Sequence, residues 1–162
     1  MTSEAKTIIA LVENESGTLN HLVSLFRRKG LSLDSLAVGD CEQRGFSRLS
    51  LVLHADEGAV HQCVAQMGKL LDVVEVEHVP DTDSVQRELA LVTVTAPPEK
   101  RREILEVAQI MKCEVAHLGH DTITLECAAG TSHLEHLFAL LEPYGIHQIV
   151  RSGVVAIRKE KN

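Results

Sequence analysis

Apolar residues in the first half of the chain recur with the spacings of both strands and helices. Residues 7–12 form a short run rich in β-forming side chains, which predicts a buried strand. The next apolar residues follow at i, i+3, i+4 and i+7, the spacing of one helix face. They are Leu19, Leu22, Val23 and Phe26. Basic residues 27–29 fall in the last turn, where the helix dipole favours positive charge, and Gly30 ends the helix.

Three further elements complete the first half. Residues 31–38 and 47–53 predict two strands, and the polar stretch 39–45 predicts the hairpin loop between them. A second helix over 57–70 precedes a fourth strand over 72–79. The predicted apolar face of this helix comprises Val60, Val64, Met67 and Leu71. The resulting order, β-α-β-β-α-β, is that of the split βαβ or ferredoxin-like fold.

The same order repeats after a polar linker, residues 80–86, which opens on Pro80. The predicted elements are a strand over 87–95, a helix over 99–112, strands over 113–118 and 121–127, a helix over 130–141 and a strand over 146–158. Ile104, Leu105, Ala108 and Met111 form the inward face predicted for the helix 99–112. We therefore expect an α+β protein with two ferredoxin-like βαββαβ domains in tandem, residues 1–79 and 87–162.

Each predicted sheet carries helices on one face only, so its other face needs cover. Small open sheets with apolar strands pair edge to edge or face to face. The pattern therefore predicts at least a homodimer.

The composition indicates which partners and which cell compartment to expect. Lys plus Arg number 16 and Asp plus Glu 23, so the net charge is 16 − 23 = −7, and aromatic residues make up 2%. An acidic chain with few stacking side chains is not expected to bind nucleic acid. No stretch approaches the roughly 20 apolar residues of a membrane span, and no secretory signal is evident, so we expect a cytoplasmic protein.

Side chains that could carry catalysis or bind metal do not form recognisable groups. The four cysteines are scattered without a CxxC pair, which argues against a disulfide framework or a zinc site. His117 and His120 are three residues apart, as are His133 and His136, but neither pair has an obvious third ligand. No nucleophile lies in a GxSxG context, and no carboxylates have a catalytic spacing. We expect no catalytic residues, no metal and no cofactor in this chain.

The segment Glu13-Asn14-Glu15-Ser16-Gly17 joins the first strand to the first helix. Ser16 is placed to cap this helix, and Gly17 allows another backbone to approach closely. The first N–H groups of a helix have no partner within it and lie at its positive end, where a carboxylate binds favourably. The amide of Asn14 offers both a donor and an acceptor to an amino acid. The residues alone leave two interpretations open, a plain helix start or a weak amino-acid site.

A series of motifs, in order along the chain, resembles one known family. The motifs are residues 11–19 (Leu-Val-Glu-Asn-Glu-Ser-Gly-Thr-Leu), 25–30, 34–39, 47–50, 66–73, 87–92, 129–132 and 151–156. Together they resemble the small, regulatory subunit of acetolactate synthase (acetohydroxyacid synthase). The resemblance implies that residues 1–79 are an ACT domain, an amino-acid-binding module that dimerises through its sheet. Residues 80–86 would then be a linker and 87–162 a second ferredoxin-like domain.

The resemblance also implies a function in branched-chain amino acid biosynthesis. Such subunits are not enzymes themselves; they activate a separate catalytic subunit, which carries thiamine diphosphate, magnesium and FAD. They confer feedback inhibition by valine, and in some members by leucine or isoleucine. The alternative is a free-standing ACT-type amino-acid sensor that regulates a different partner.

Carried over by position, the resemblance implies a ligand site made by two subunits. The implied residues are Asn14, Glu15, Ser16, Gly17, Thr18 and Leu19 of one subunit, with Ser32 and Leu33 from the start of strand two of the other. Ser32 stands where the family usually has asparagine, so this chain lacks the amide that would contact the bound amino acid.

Overall fold

The structure is a computed structural model that describes residues 4–161. It divides into two compact units. Among the described residues, the first contains 4–86 together with 153–161, and the second contains Arg87–Ser152. Residues 153–161 therefore lie with the first unit, although they follow the second in sequence.

The first unit is a four-stranded antiparallel sheet with two helices. Its elements are β1 (Glu4–Glu13), α1 (Thr18–Lys29), β2 (Leu33–Asp40), β3 (Phe46–Ala55), α2 (Glu57–Met67) and β4 (Val73–Val79). The strand order is β2–β3–β1–β4. This arrangement confirms the predicted ferredoxin-like order, with β2 and β4 at the two edges of the sheet.

Alternation along the strands decides which side chains form the core of this unit. Ile8, Ala10 and Val12 of β1 face the helices, and the leucines of β3 at positions 49, 51 and 53 join them. Helix α1 adds Leu22, Leu25 and Phe26 to this core. The predicted helix face was partly wrong, because Leu19 is 43% exposed and Val23 50%. Leu71, also predicted to be inward, lies beyond the end of α2 and is 96% exposed.

The second unit repeats the order of elements. The chain enters it through β5 (Ser84–Thr95), which begins within the predicted linker. The remaining elements are α3 (Arg101–Ile110), β6 (Glu114–Leu118), β7 (Thr122–Ala129), α4 (Thr131–Leu141) and β8 (Ile146–Arg151). The strands lie in the order β6–β7–β5–β8. Ile104, Ala108 and Met111 are buried as predicted, whereas Leu105 is 42% exposed.

The single strand predicted over 146–158 was wrong. It is two strands, β8 and then β9 (Val155–Arg158), and the chain between them turns at Gly153. Gly153 has φ +82°, and a Cβ there would lie 3.2 Å from Cβ of Ser35. A side chain at this position would be both strained and crowded, so the break depends on glycine.

We call residues 153–159 the C-terminal strap, because they cross the helix-free face of the first sheet. Gly153 lies against Ser35 of β2, and the backbone N–H of Ala156 donates to Oγ of Ser50 on β3 at 3.1 Å. Arg158 then donates through Nε to the Glu77 carboxylate on β4 at 2.8 Å. Part of the face that we expected a second subunit to cover is therefore covered by the chain itself.

Candidate ligand-binding site

The loop between β1 and α1 is held at its base by the two neighbouring turns. The N–H of Glu13 donates to the carbonyl of Asp72 at 2.8 Å, just before β4. The N–H of Asn14 donates to the carbonyl of Gly45 at 2.9 Å, just before β3. These two bonds fix where the loop leaves the sheet, while the side chains of Asn14, Glu15 and Ser16 are exposed.

Helix α1 begins without the serine cap that the sequence predicted. Gly17 occupies the capping position with φ 126° and ψ −19°, and the helix has no side-chain cap hydrogen bond. Ser16 lies one residue earlier, in an exposed turn, so its hydroxyl does not reach the first turn of the helix. A Cβ on Gly17 would meet nothing within 4 Å. Glycine is thus needed here for its backbone conformation and not for lack of space.

The loop and the first helical turn present a row of backbone N–H groups. Within residues 4–161, the N–H groups of Glu15, Ser16, Gly17, Leu19 and Asn20 have no protein acceptor. Helix α1 also has no acidic residue in its first turn, so its positive end is not neutralised by its own side chains. Such an arrangement binds a carboxylate or another small anion through charge-assisted hydrogen bonds.

The other predicted residues of this loop have distinct surroundings. Asn14 donates through Nδ2 to Oδ1 of Asp40 at 3.3 Å, at the end of β2. Thr18 is 4% exposed, and its hydroxyl donates to the carbonyl of Glu13 at 3.0 Å, so it stabilises the loop from below. Leu19 is 43% exposed at the start of the helix and offers an apolar surface beside the free N–H groups.

Sequence reasoning missed two carboxylates beside the loop. Asp40 contacts Asn14, and Asp72 accepts a hydrogen bond from Nδ1 of His21 at 2.5 Å. Both would attract the ammonium group of a ligand whose carboxylate binds the backbone N–H groups. Their position depends on the register of β1 with its neighbours, and the spacing along the chain gave no signal of it.

Ser32 and Leu33 lie at the other end of the sheet. Glu13 is opposite Phe46 on β3, whereas Leu33 is opposite Leu53. The two positions on β3 are 53 − 46 = 7 residues apart, which is about 23 Å along a strand. A single chain therefore does not bring the two predicted halves of the site together.

Residues 4–161 contain no cluster of three or more His, Cys, Asp or Glu side chains with the arrangement of a metal site. No helix in the same range has the length and apolar character needed to cross a membrane.

Comparison with protein families matches both halves of the chain. The family described as "Small subunit of acetolactate synthase" matches residues 87–160. The family described as "AHAS small subunit-like ACT domain" matches residues 8–75. Together the two matches span most of the chain and identify the first unit as an ACT domain.

Individual relatives agree with these matches. The chain is 36% identical over 151 residues to a probable acetolactate synthase small subunit of Archaeoglobus fulgidus, covering 93% of this chain and 94% of the relative. It is 36% identical over 153 residues to the acetolactate synthase small subunit of Mycolicibacterium smegmatis, covering 94% and 90%. The crystal structure of the acetolactate synthase small subunit of Thermotoga maritima superposes with a TM-score of 0.90 at 27% identity, covering 98% of this chain and 99% of that one. The chain belongs to the family of acetolactate synthase small subunits.

Proposed function

We propose that this chain is a non-catalytic subunit that activates the catalytic subunit of acetolactate synthase and confers feedback inhibition by valine or another branched-chain amino acid. Membership of the family supports the partner. The proposal of an amino-acid site rests on the row of free N–H groups at the start of α1. The thiamine diphosphate, magnesium and FAD of the reaction belong, in this proposal, to the catalytic subunit.

The proposed ligand site combines backbone donors of the loop with the side chains beside them. The ligand carboxylate accepts hydrogen bonds from the N–H groups of Ser16, Gly17 and Leu19. Its ammonium group lies near Asp40 and the side-chain oxygen of Asn14, and its aliphatic side chain packs against Leu19. Each charge-assisted hydrogen bond contributes about 1.5–3 kcal/mol, which after binding costs gives micromolar to millimolar affinity. That affinity suits a sensor of metabolite concentration.

A second subunit completes the site in this proposal. Strand β2 is an edge of the first sheet, so the β2 of another chain can pair with it in antiparallel fashion about a two-fold axis. Antiparallel pairing puts the start of the partner strand beside the end of this one. Because Asp40 at the end of β2 contacts Asn14, the partner's Ser32 and Leu33 would lie close to the loop. Because the strap covers part of the helix-free face of the first sheet, two subunits pair more readily through their β2 edges than face to face.

Charge at the two ends of helix α1 supports the same pairing. Glu15 and Asp40 lie at the loop end, whereas Arg27, Arg28 and Lys29 occupy the last turn of α1 at the opposite end. Antiparallel pairing of the two β2 strands about a two-fold axis brings the acidic end of α1 in each subunit toward the basic end of α1 in the other. The resulting attraction sets the register of the dimer and falls with added salt.

The sequence assignments that accompany this function remain part of the proposal. In this proposal residues 1–79 bind the amino acid, residues 80–86 link the domains, and residues 87–162 form the second domain, whose C-terminal strap packs on the first sheet. The family matches to residues 8–75 and 87–160 support this division. The compartment is the cytoplasm. Inhibition requires that the amino acid bind one dimer geometry more tightly than another, since a ligand shifts an equilibrium only by its differential affinity.

A reconstitution assay tests the proposal. The chain is mixed with the catalytic subunit, and pyruvate condensation is measured with and without valine, leucine or isoleucine. We expect the chain to raise the rate and at least one of these amino acids to lower it again. An unchanged rate in every condition contradicts the proposal. Calorimetric binding of an amino acid without any effect on the synthase supports a free-standing sensor instead.

A further inference from the structure

The second unit contains two cysteines that lie side by side. The pairing of Glu114 with Glu126 puts Cys113 and Cys127 at the next position of the β6–β7 ladder. Both thiols donate to the carbonyl of Met111, at 3.7 Å for Cys113 and 3.9 Å for Cys127, so the two sulfurs share one acceptor. None of the contacts of the amino-acid site involves them.

Continuing the β6–β7 register by one position gives this pair the spacing of opposite residues. Residues opposite each other on antiparallel strands have Cα atoms about 4.5–5.5 Å apart. Disulfides join Cα atoms about 4.4–6.8 Å apart, so this spacing allows the bond to form by rotation of the side chains. We propose that Cys113 and Cys127 form an intramolecular disulfide when the protein meets a small peroxide, which makes the pair an oxidation site of the second unit.

Exposure decides which sulfur reacts first. Cys127 is 2% exposed, whereas Cys113 is only partly buried at the end of the turn after α3. The Cys113 thiolate attacks one oxygen of hydrogen peroxide, the O–O bond breaks, and hydroxide leaves, giving a sulfenic acid. The Cys127 sulfur then attacks the sulfenic sulfur, and the hydroxyl leaves with the thiol proton as water. In total, two thiols and one peroxide give one disulfide and two waters.

The reaction is slow at neutral pH because the thiol is protected. Burial, and to a smaller extent the neighbouring Cys127 thiol, raises the pKa of Cys113 to about 12. Because this pKa lies well above neutral pH, only a small fraction of molecules carries the reactive thiolate at pH 7. Since that fraction rises tenfold with each pH unit, the rate of oxidation is expected to rise about tenfold per unit from pH 7 to pH 9.

The first unit supplies two comparison cysteines in the same chain. The Cys41 thiol contacts the carbonyls of Gln43 and Phe46, and the Cys63 thiol contacts Sδ of Met67 at 3.9 Å. Burial raises the pKa of Cys63 to about 11. Within residues 4–161 neither thiol shares a hydrogen-bond acceptor with another thiol, so oxidation at these positions should add oxygen and not remove hydrogen.

Intact mass and peptide mapping test this inference on the whole chain. After treatment with hydrogen peroxide at pH 7, 8 and 9, we expect loss of two hydrogens, reversal by dithiothreitol, and a linked peptide pair containing Cys113 and Cys127. Cys113→Ser should abolish the loss, and the matched Cys41→Ser should retain it. Oxygen addition without loss of hydrogen, or a link through Cys41 or Cys63, would overturn the inference. If a variant folds poorly, the peptide map of the peroxide-treated chain without substitutions still shows whether Cys113 and Cys127 are linked.

Discussion

The two units share one order of elements but differ at the junction between the first strand and the first helix. In the first unit, the N–H groups of Glu15, Ser16 and Gly17 have no acceptor among the residues that the structure describes. In the second, Pro97 and Pro98 remove two such donors from the equivalent position between β5 and α3. The first junction therefore offers backbone N–H donors to a ligand, whereas the second junction lacks the two donors that its prolines replace.

Side chains widen this difference. Glu103 in the first turn of α3 accepts hydrogen bonds from Nζ of Lys100, at 3.1 Å, and from the Tyr144 hydroxyl, at 3.2 Å, whereas α1 has no acidic residue in its first turn. The Arg101 guanidinium also occupies the second junction, where it donates to the carbonyls of Ala96, at 3.1 Å, and Gly119, at 2.8 Å, and to that of His120. The comparison shows that the second junction is occupied by its own prolines and side chains, whereas the backbone donors of the first junction face solvent, where we propose that the ligand binds.

The largest expected effect comes from Gly17→Asp. The substitution puts an L-residue at φ +126° and a negative charge beside the proposed ligand carboxylate. Losing two charge-assisted hydrogen bonds corresponds to at least about 3 kcal/mol, or more than 100-fold in affinity. We expect calorimetry to show no valine binding while activation of the catalytic subunit persists.

Gly130→Asp is the matched control for that variant. Gly130 caps α4 in the second unit with φ −68°, and a Cβ there meets nothing within 4 Å. Aspartate is a favourable capping residue, so this variant should keep both activation and valine sensitivity. Equal loss of sensitivity in both variants would mean that the loop has no special role.

Arg101→Ala tests whether opening the second junction creates a site. Removing the guanidinium leaves partly buried carbonyls without their donors, which should lower the free energy of unfolding by about 1.5–3 kcal/mol. No gain of amino-acid binding is expected, because the prolines still remove the donors. Denaturant unfolding and calorimetry measure the two quantities. A new binding site in this variant would contradict the comparison, and Arg101→Lys should show a smaller loss of stability.

Asn14→Ala removes the loop amide that contacts Asp40. We expect about tenfold weaker amino-acid binding, corresponding to about 1.4 kcal/mol for one hydrogen bond to a charged group. Because Asn14 is exposed, thermal unfolding of the free chain should change little. If Asn14→Ala binds the amino acid with unchanged affinity, Asn14 does not contact the ligand, although the backbone N–H groups still could.

The smallest expected effect is a gain in amino-acid affinity from Ser32→Asn. An amide reaches further than a hydroxyl and offers both a donor and an acceptor across the proposed dimer interface. We expect affinity to rise by about three- to tenfold in titration calorimetry. The equivalent change at the exposed Ser24 of α1 should have no effect. A gain at Ser24 equal to that at Ser32 would argue against the two-subunit site.

The order of elements was predictable because each strand and helix has a clear apolar period. Helix faces were less well predicted: Leu19 fits the spacing of the buried stripe, but the rotation of α1 buries Leu25 in its place. Leu19 lies in the first helical turn, at the edge of the core, where spacing alone does not fix burial. The beginning of β5 at Ser84 was missed because its polar residues resemble a linker.

The C-terminal strap shows what a local pattern cannot reveal. The apolar residues of 146–158 read as one strand, but Gly153 divides them between two units. The contacts that hold the strap join Ser50 to Ala156 and Glu77 to Arg158, and both pairs are far apart in sequence. Only the three-dimensional structure brings these partners together.

The candidate site was predicted in part for the same reason. The loop 14–17 was identified from its position before a helix and from the family resemblance, but Ser16 was given the capping role that Gly17 holds. Asp40 and Asp72 were missed because their place beside the loop depends on strand register. Local chemistry along a chain is readable from sequence, whereas partners supplied by neighbouring strands are not.

The central claim is that an amino acid binds the backbone N–H groups at the start of α1, between two subunits. Amide chemical shifts, followed by heteronuclear NMR during titration with valine, test it most directly. We predict the largest shifts at Ser16, Gly17 and Leu19, with further shifts at Ser32 and Leu33 and none across residues 96–101. Saturating valine that leaves the amides of residues 15–20 unmoved, or that moves residues 96–101 instead, would contradict the account.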